Sequence, residues 1–164
     1  MVLIIRKFII YGLVILSLML SLIPDANAFD ADTNAASAIV MHGGGEVIYE
    51  KNADDRRLIA STTKIMTAIL AIESGQLDEE FTVSAAWCGI EGSSMYLRAG
   101  QILTLRQLVE GLLLTSGNDA AIAIACAVSG NIDSFAALMN EKAHYLGMDN
   151  SHFDNPHGLD SEEH

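Results

Sequence analysis

The chain has 164 residues, 51% of them hydrophobic, and a formal net charge of −12. That length suffices for one domain with a buried core, and the acidic balance excludes a nucleic-acid binder, because no basic stripe is present to neutralise phosphates. The acids lie scattered at Asp54-Asp55, Asp78-Glu79-Glu80 and Ser161-Glu162-Glu163, the pattern of a solvated surface rather than of a partner site.

The chain opens with Arg6 and Lys7, an apolar run from Phe8 to Ile23, and Ala26-Asn27-Ala28. This basic, hydrophobic and small-x-small order predicts a secretory signal peptide over residues 1–28, with cleavage after Ala28 and export of residues 29–164. The alternative is an uncleaved anchor, since Ile9 to Ile23 falls only slightly short of the roughly 20 residues of a spanning helix. Pro24 and the Ala-x-Ala site favour cleavage. Ala38 to Met41 and Glu46 to Glu50 then read as strands around Gly43-Gly44-Gly45, a hairpin turn signal.

Ser61-Thr62-Thr63-Lys64 opens an expected helix over 62–74, closed by Gly75, with Ile65, Met66, Ile69, Leu70 and Ile72 as its apolar face. Helical residues i and i+3 share a face, so the Lys64 amine can reach back over the Ser61 hydroxyl. A lysine acts as a serine's base only if burial or a nearby cation lowers its pKa from about 10.4, so Lys64 is expected to be desolvated. A serine at a helix N-terminus also sits among free N–H groups that favour charge on an attacked carbonyl oxygen. Taken alone, Ser-x-x-Lys more often marks an N-cap followed by a solvated lysine.

Thr104 and Gln107 have capping-box spacing, and Leu105, Leu108, Val109, Leu112 and Leu113 give a helical period over 105–115. The period stops at Ser116-Gly117-Asn118-Asp119, and a small-residue apolar run follows, so helices are expected at 119–128 and at 133–146, the last closed by Gly147. A polar turn between two buried helices can hold a hydroxyl and an amide beside Ser61; it can equally be a plain connection in which Ser116 and Asn118 cap. Cys88 and Cys126 permit one disulfide in an exported protein, although Cys126 falls inside an apolar run, as a small core residue would. His152, His157 and His164 lie near acids, but no zinc-helix spacing is present, and they read as turn and surface residues. A hairpin followed by mostly helical sequence predicts an α+β domain, its helices set against an antiparallel sheet.

Five segments, 60–74, 92–100, 116–126, 138–148 and 153–160, together resemble the serine-type D-alanyl-D-alanine carboxypeptidases. These are the low-molecular-mass penicillin-binding proteins that trim peptidoglycan stem peptides, and Ser-x-x-Lys with a Ser-x-Asn triplet belongs to their signature. The resemblance implies a β-lactamase-like and penicillin-binding-protein-like fold, in which residues 29–164 form the N-terminal part of the catalytic domain. It implies Ser61 as the nucleophile that forms an acyl-enzyme, Lys64 as its base, Ser116 as the hydroxyl that relays a proton to the departing D-alanine, and Asn118 as the amide that orients the substrate. It further implies stem peptides ending in D-Ala-D-Ala as substrates, β-lactam antibiotics as covalent inhibitors, no metal or organic cofactor, and a site of action in the bacterial cell envelope, with a membrane surface as a further partner of a full-length parent.

The triplet reads Ser-Gly-Asn, which inclines the resemblance toward carboxypeptidases and away from class A β-lactamases. One departure is that the Lys-Thr-Gly element of the family does not occur: the only lysine after Asn118 is Lys142, followed by Ala143 and His144. In the family that element helps bind the substrate carboxylate and its strand supplies an oxyanion donor, and loss of one such donor costs about two to three orders of magnitude in rate. The chain is therefore expected to be a fragment with reduced or no activity, derived from an active parent. A serine β-lactamase and a non-catalytic envelope binding protein stand as alternatives.

Overall fold

The computed structural model describes residues 33–164, so the expected signal peptide lies outside the described residues. The chain divides into two compact units, Met1–Asp55, of which residues 33–55 are described, and Arg56–His164.

In the first unit, β1 (Ala38–Met41) and β2 (Val47–Lys51) pair antiparallel, with Ala38 opposite Lys51 and Val40 opposite Tyr49. The connecting turn is closed by His42 N donating to Glu46 O at 2.8 Å and Gly45 N to His42 O at 2.9 Å. Gly45 has φ +90°, in the left-handed region that glycine enters without strain. Both expected strands form, the second displaced by one residue. Their apolar side chains Ile39, Val40, Met41, Val47 and Ile48 are all exposed.

The second unit begins with a 3-10 turn, Ala60–Thr62, that leads into α1 (Thr63–Glu73). Short strands β3 (Glu80–Thr82) and β4 (Ile102–Thr104) pair antiparallel, with Phe81 opposite Leu103, and flank a long loop that contains a second 3-10 turn, Ala85–Trp87. Three helices follow: α2 (Leu105–Thr115), α3 (Asn118–Ser129) and α4 (Ile132–Tyr145). The β3–β4 pair was not expected, because strands of three residues are too short to display an alternating period.

Local chemistry sets the helix ends. Thr104 and Gln107 form the full capping box, with Gln107 N donating to Thr104 Oγ1 at 3.2 Å and Thr104 N to Gln107 Oε1 at 3.0 Å. Asn131 caps α4 by accepting from Ser134 N at 2.8 Å. Helix α3 is the centre of the unit and packs against α1, α2 and α4. Its Ala120, Ala121, Ala123 and Ala125 are fully buried, and such small side chains let three neighbours approach closely. The intervening space is filled by Leu108, Leu112, Phe135 and Met139.

The apolar face expected for α1 needs correction in part: Met66 is buried and Leu70 packs against the core as expected, but two other members do not turn inward. Ile65 and Ile72 are 59% and 52% exposed, whereas Thr63, Lys64, Met66, Thr67, Ala68 and Ala71 are buried. Close packing selects the small residues, and the buried polar ones are tolerated because each finds a hydrogen-bond partner in residues 156–164 or in Ser61. Among the described residues no single helix is long and apolar enough to cross a membrane; α3 and α4 pass that test only as a pair bent by 85°.

Candidate active site

Ser61 lies in the 3-10 turn just ahead of α1 rather than in the helix itself. Thr62 fastens this turn, its Oγ1 donating to Ile59 O at 2.6 Å. Ala60, the residue before Ser61, has φ +47°, a left-handed conformation that a non-glycine residue holds only when its surroundings enforce it.

Lys64, one turn on, is 3% exposed, and its Nζ lies 2.9 Å from Ser61 Oγ and 2.9 Å from His157 O. Burial lowers its pKa below the ordinary lysine value. Neither of these two partners carries a charge that would hold the ammonium form. The amine can therefore give one N–H to the carbonyl and turn its lone pair toward the serine hydroxyl.

The carbonyl that Lys64 meets belongs to a segment lashed to two helices. Asn140 of α4 pairs with the backbone of Phe153 in both directions, Nδ2 to Phe153 O at 2.9 Å and Phe153 N to Oδ1 at 2.8 Å. Thr67 Oγ1 of α1 donates to Pro156 O at 2.7 Å. Asn155 Oδ1 closes the turn by accepting from Gly158 N at 2.7 Å and His157 N at 3.2 Å. Gly158, at φ +86°, passes so near the Ala60 carbonyl that no Cβ fits. The segment thus abuts the residue that precedes Ser61. His164 completes it: Asp154 N donates to Nδ1 at 3.1 Å, which leaves Nε2–H to donate to Thr63 Oγ1 at 2.8 Å.

Ser116 is the C-cap of α2, in the left-handed conformation at φ +55° and ψ +36°. Asn118 is the first residue of α3, 4% exposed, with its Nδ2 donating to Glu91 O at 2.5 Å and its backbone N to Ser93 O at 2.7 Å. The structure thus joins Ser61 directly to Lys64. Among the described residues no hydrogen bond links Ser116 or Asn118 to either; packing of α1 against α2 and α3 brings the two motifs into one unit.

Sequence reasoning missed four participants: the carbonyls of Pro156 and His157, Gly158, and the buried Asp119. Residue type carries no sign that a backbone carbonyl will meet a lysine. Asp119 did leave one, an acid heading an otherwise apolar helix. Lys142 forms an ion pair with Glu73 at 2.7 Å and so braces α4 against α1. His144 and His152 pair with Asp149 and Asp154, each at 3.1 Å. Among the described residues no group of three or more His, Cys, Asp or Glu side chains is placed to hold a metal ion. Cys88 and Cys126 are both free.

By geometry alone this is an α+β protein in which an exposed serine meets a buried lysine, in the same unit as a Ser-Gly-Asn turn. The family model described as D-alanyl-D-alanine carboxypeptidase, peptidase S11, matches residues 25–164, and the chain belongs to that family. Among curated relatives, it is 35% identical over 134 residues to D-alanyl-D-alanine carboxypeptidase DacF of Bacillus subtilis, covering 79% of this chain and 34% of the relative. It is 37% identical over 153 residues to DacA of Escherichia coli, covering 87% of this chain and 37% of the relative. Among solved structures, D-alanyl-D-alanine carboxypeptidase DacD from Francisella tularensis superposes with a TM-score of 0.77 at 40% identity, over 83% of this chain and 34% of that one. The D-alanyl-D-alanine carboxypeptidase of Mycobacterium tuberculosis gives 0.76 at 33% identity, over 80% of this chain and 50% of that one. The chain spans about a third of the length of the curated relatives it matches. Its fold is that of the penicillin-binding DD-peptidases, as the α+β expectation required.

Proposed function

We propose that the protein carrying this chain is a serine-type D-alanyl-D-alanine carboxypeptidase that removes the terminal D-alanine from peptidoglycan stem peptides. The observation that carries this reading is the 2.9 Å contact between Lys64 Nζ and Ser61 Oγ, with the lysine buried and its pKa lowered. In the amine form Lys64 takes the proton of the Ser61 hydroxyl while Oγ bonds to the carbonyl carbon of the penultimate D-alanine. The resulting tetrahedral centre collapses with cleavage of the C–N bond. The departing D-alanine amine gains a proton through Ser116, and water then hydrolyses the ester on Ser61. With Nδ2 committed to Glu91, Asn118 presents Oδ1 to an N–H of the substrate. β-Lactams enter as covalent inhibitors by acylating the same oxygen.

The substrate lies outside the cytoplasmic membrane, and the basic, apolar and Ala-x-Ala order of residues 1–28 fits delivery to that compartment. The site of action is accordingly the outer face of the membrane or the periplasm.

The test is exposure of the protein expressed from its natural reading frame to a fluorescent penicillin, with denaturing gel and mass spectrometry, beside a Ser61→Ala control. Label on Ser61 that is lost slowly is expected, formed at a rate that rises with pH as Lys64 deprotonates, with a midpoint below 10.5. Rapid loss of the label would indicate a β-lactamase instead. A folded protein that takes no label at Ser61 would refute the acyl-transfer reading.

A further inference from the structure

Residues 91–97 are bound to the first turn of α3 by a carboxylate that the mechanism above does not use. Asp119 is fully buried. Its Oδ2 accepts from Ser94 Oγ at 2.7 Å and Leu97 N at 3.0 Å, and its Oδ1 from Met95 N at 2.9 Å and Ala120 N at 2.9 Å. Three of these donors come from the loop and one from the unpaired N–H groups at the helix start. Ser94 Oγ in turn accepts from Tyr96 N at 2.9 Å, so carboxylate and hydroxyl together serve the N–H groups of residues 95, 96 and 97. Tyr96 has φ +61° and is 84% exposed. Packing of its ring therefore does not hold this conformation, whereas the hydrogen bonds on either side of it can.

The same loop grips Asn118 through the carbonyls of Glu91 and Ser93. Loop and turn approach each other closely at two glycines. A Cβ on Gly92 would lie 2.7 Å from Asn118 Nδ2, and one on Gly117 would lie 2.8 Å from Asp119 Oδ1 and 3.0 Å from Met95 N. Burial alone would push the Asp119 carboxyl up, but the hydrogen bonds from Leu97, Ser94, Met95 and Ala120 outweigh it and hold the group below the usual range.

We propose that Asp119 is a positioning residue for the acyl-transfer reaction, holding residues 91–97 against the Ser116-Gly117-Asn118 turn so that the Asn118 amide meets the substrate peptide in one fixed orientation. The role rests on the carboxypeptidase reading. It acts on substrate binding rather than on the Ser61–Lys64 proton transfer, because every contact of the carboxylate lies in the loop and at the start of α3. Asp119→Asn places an NH2 group where a carboxylate oxygen accepts two bonds, which leaves two donors unpaired and opposed.

The test uses protein expressed from its natural reading frame, as wild type, Ser61→Ala, Asp119→Asn and Ser94→Ala. Stoichiometric labelling by fluorescent penicillin counts functional sites, and hydrolysis of a peptide ending in D-Ala-D-Ala gives kcat per functional site and KM. Asp119→Asn is expected to keep the number of labelled sites and the pH dependence of kcat while raising KM about tenfold or more, and Ser94→Ala to shift KM in the same direction by less. Lowered stability alone would reduce the labelled fraction and leave the KM of the remaining sites unchanged; that result in both variants overturns the assignment. Should Asp119→Asn not fold, Ser94→Ala decides, and an unchanged KM there overturns it. A wild-type protein that neither labels at Ser61 nor releases D-alanine overturns the carboxypeptidase reading, and the role of Asp119 falls with it.

Discussion

His157 gives its carbonyl to Lys64 while its imidazole is partly buried. That burial, followed by the charges of Lys64 and His164, lowers its pKa from 6.5 to about 4. The unfolded chain therefore takes up a proton near pH 6.5 that the folded chain refuses until about pH 4. This contribution to stability is complete above pH 6.5 and is lost as pH falls from there toward 4. Urea midpoints measured between pH 7 and pH 4.5 should fall less steeply with acid in His157→Gln than in the parent protein. Parallel slopes would show that the imidazole titrates alike in the folded and unfolded states. Nothing in the sequence around His157 foretold this, since the carbonyl's partner is Lys64 of α1, 93 positions away.

The turn at Gly158 and the 3-10 turn at Ala60–Thr62 are two elements distant in sequence that touch backbone to backbone. Gly158 is required twice over: at φ +86° a side chain is strained, and a Cβ would meet the Ala60 carbonyl and approach Thr63 Oγ1 to 2.9 Å. Gly158→Ala is expected to destabilise by more than about 1 kcal/mol. It should also slow penicillin labelling of Ser61 by about tenfold or more, because the clash falls on the residue that precedes the nucleophile. Thermal unfolding and the labelling rate measured on one preparation would decide; unchanged labelling at lowered stability would disconnect the turn from the site. The helices themselves were legible: the capping box at Thr104, the leucine period of α2 and the stop at Ser116 all lie within one short window, where i to i+4 chemistry suffices. The buried face of α1 was legible only in part, because which face turns inward depends on the neighbours: Met66 is buried as expected, but Ala68 and Ala71 are buried where Ile65 and Ile72 are not, and Thr63 and Thr67 turn to residues 156–164.

At the scale of the whole molecule, apolar side chains stand exposed in both units. Strands β1 and β2 expose Ile39, Val40, Met41, Val47 and Ile48, and α1 exposes Ile65 and Ile72. A two-stranded hairpin is marginally stable in water by itself, and an uncovered apolar strand invites pairing with another chain. Residues 29–164 produced alone are therefore expected to bind a hydrophobic dye such as ANS and to self-associate at micromolar concentration. Fluorescence titration and analytical ultracentrifugation check this, and a dye-silent monomer with a cooperative, high-temperature melt would contradict it.

The amino-acid sequence by itself determined the acidic character of the chain, the hairpin and the four helices, and it singled out Ser61, Lys64, Ser116 and Asn118 as candidates. Each of these is written in periodicity, caps or short motifs that act over a few neighbouring positions. Only the tertiary structure decided that Lys64 is buried against the His157 carbonyl, that Gly158 abuts the Ala60 carbonyl, and that Asp119 clamps residues 94–97. Those contacts join backbone atoms and side chains 22 to 98 positions apart, and a carbonyl or an amide N–H, present at nearly every residue, acquires a role only when folding brings a partner to it.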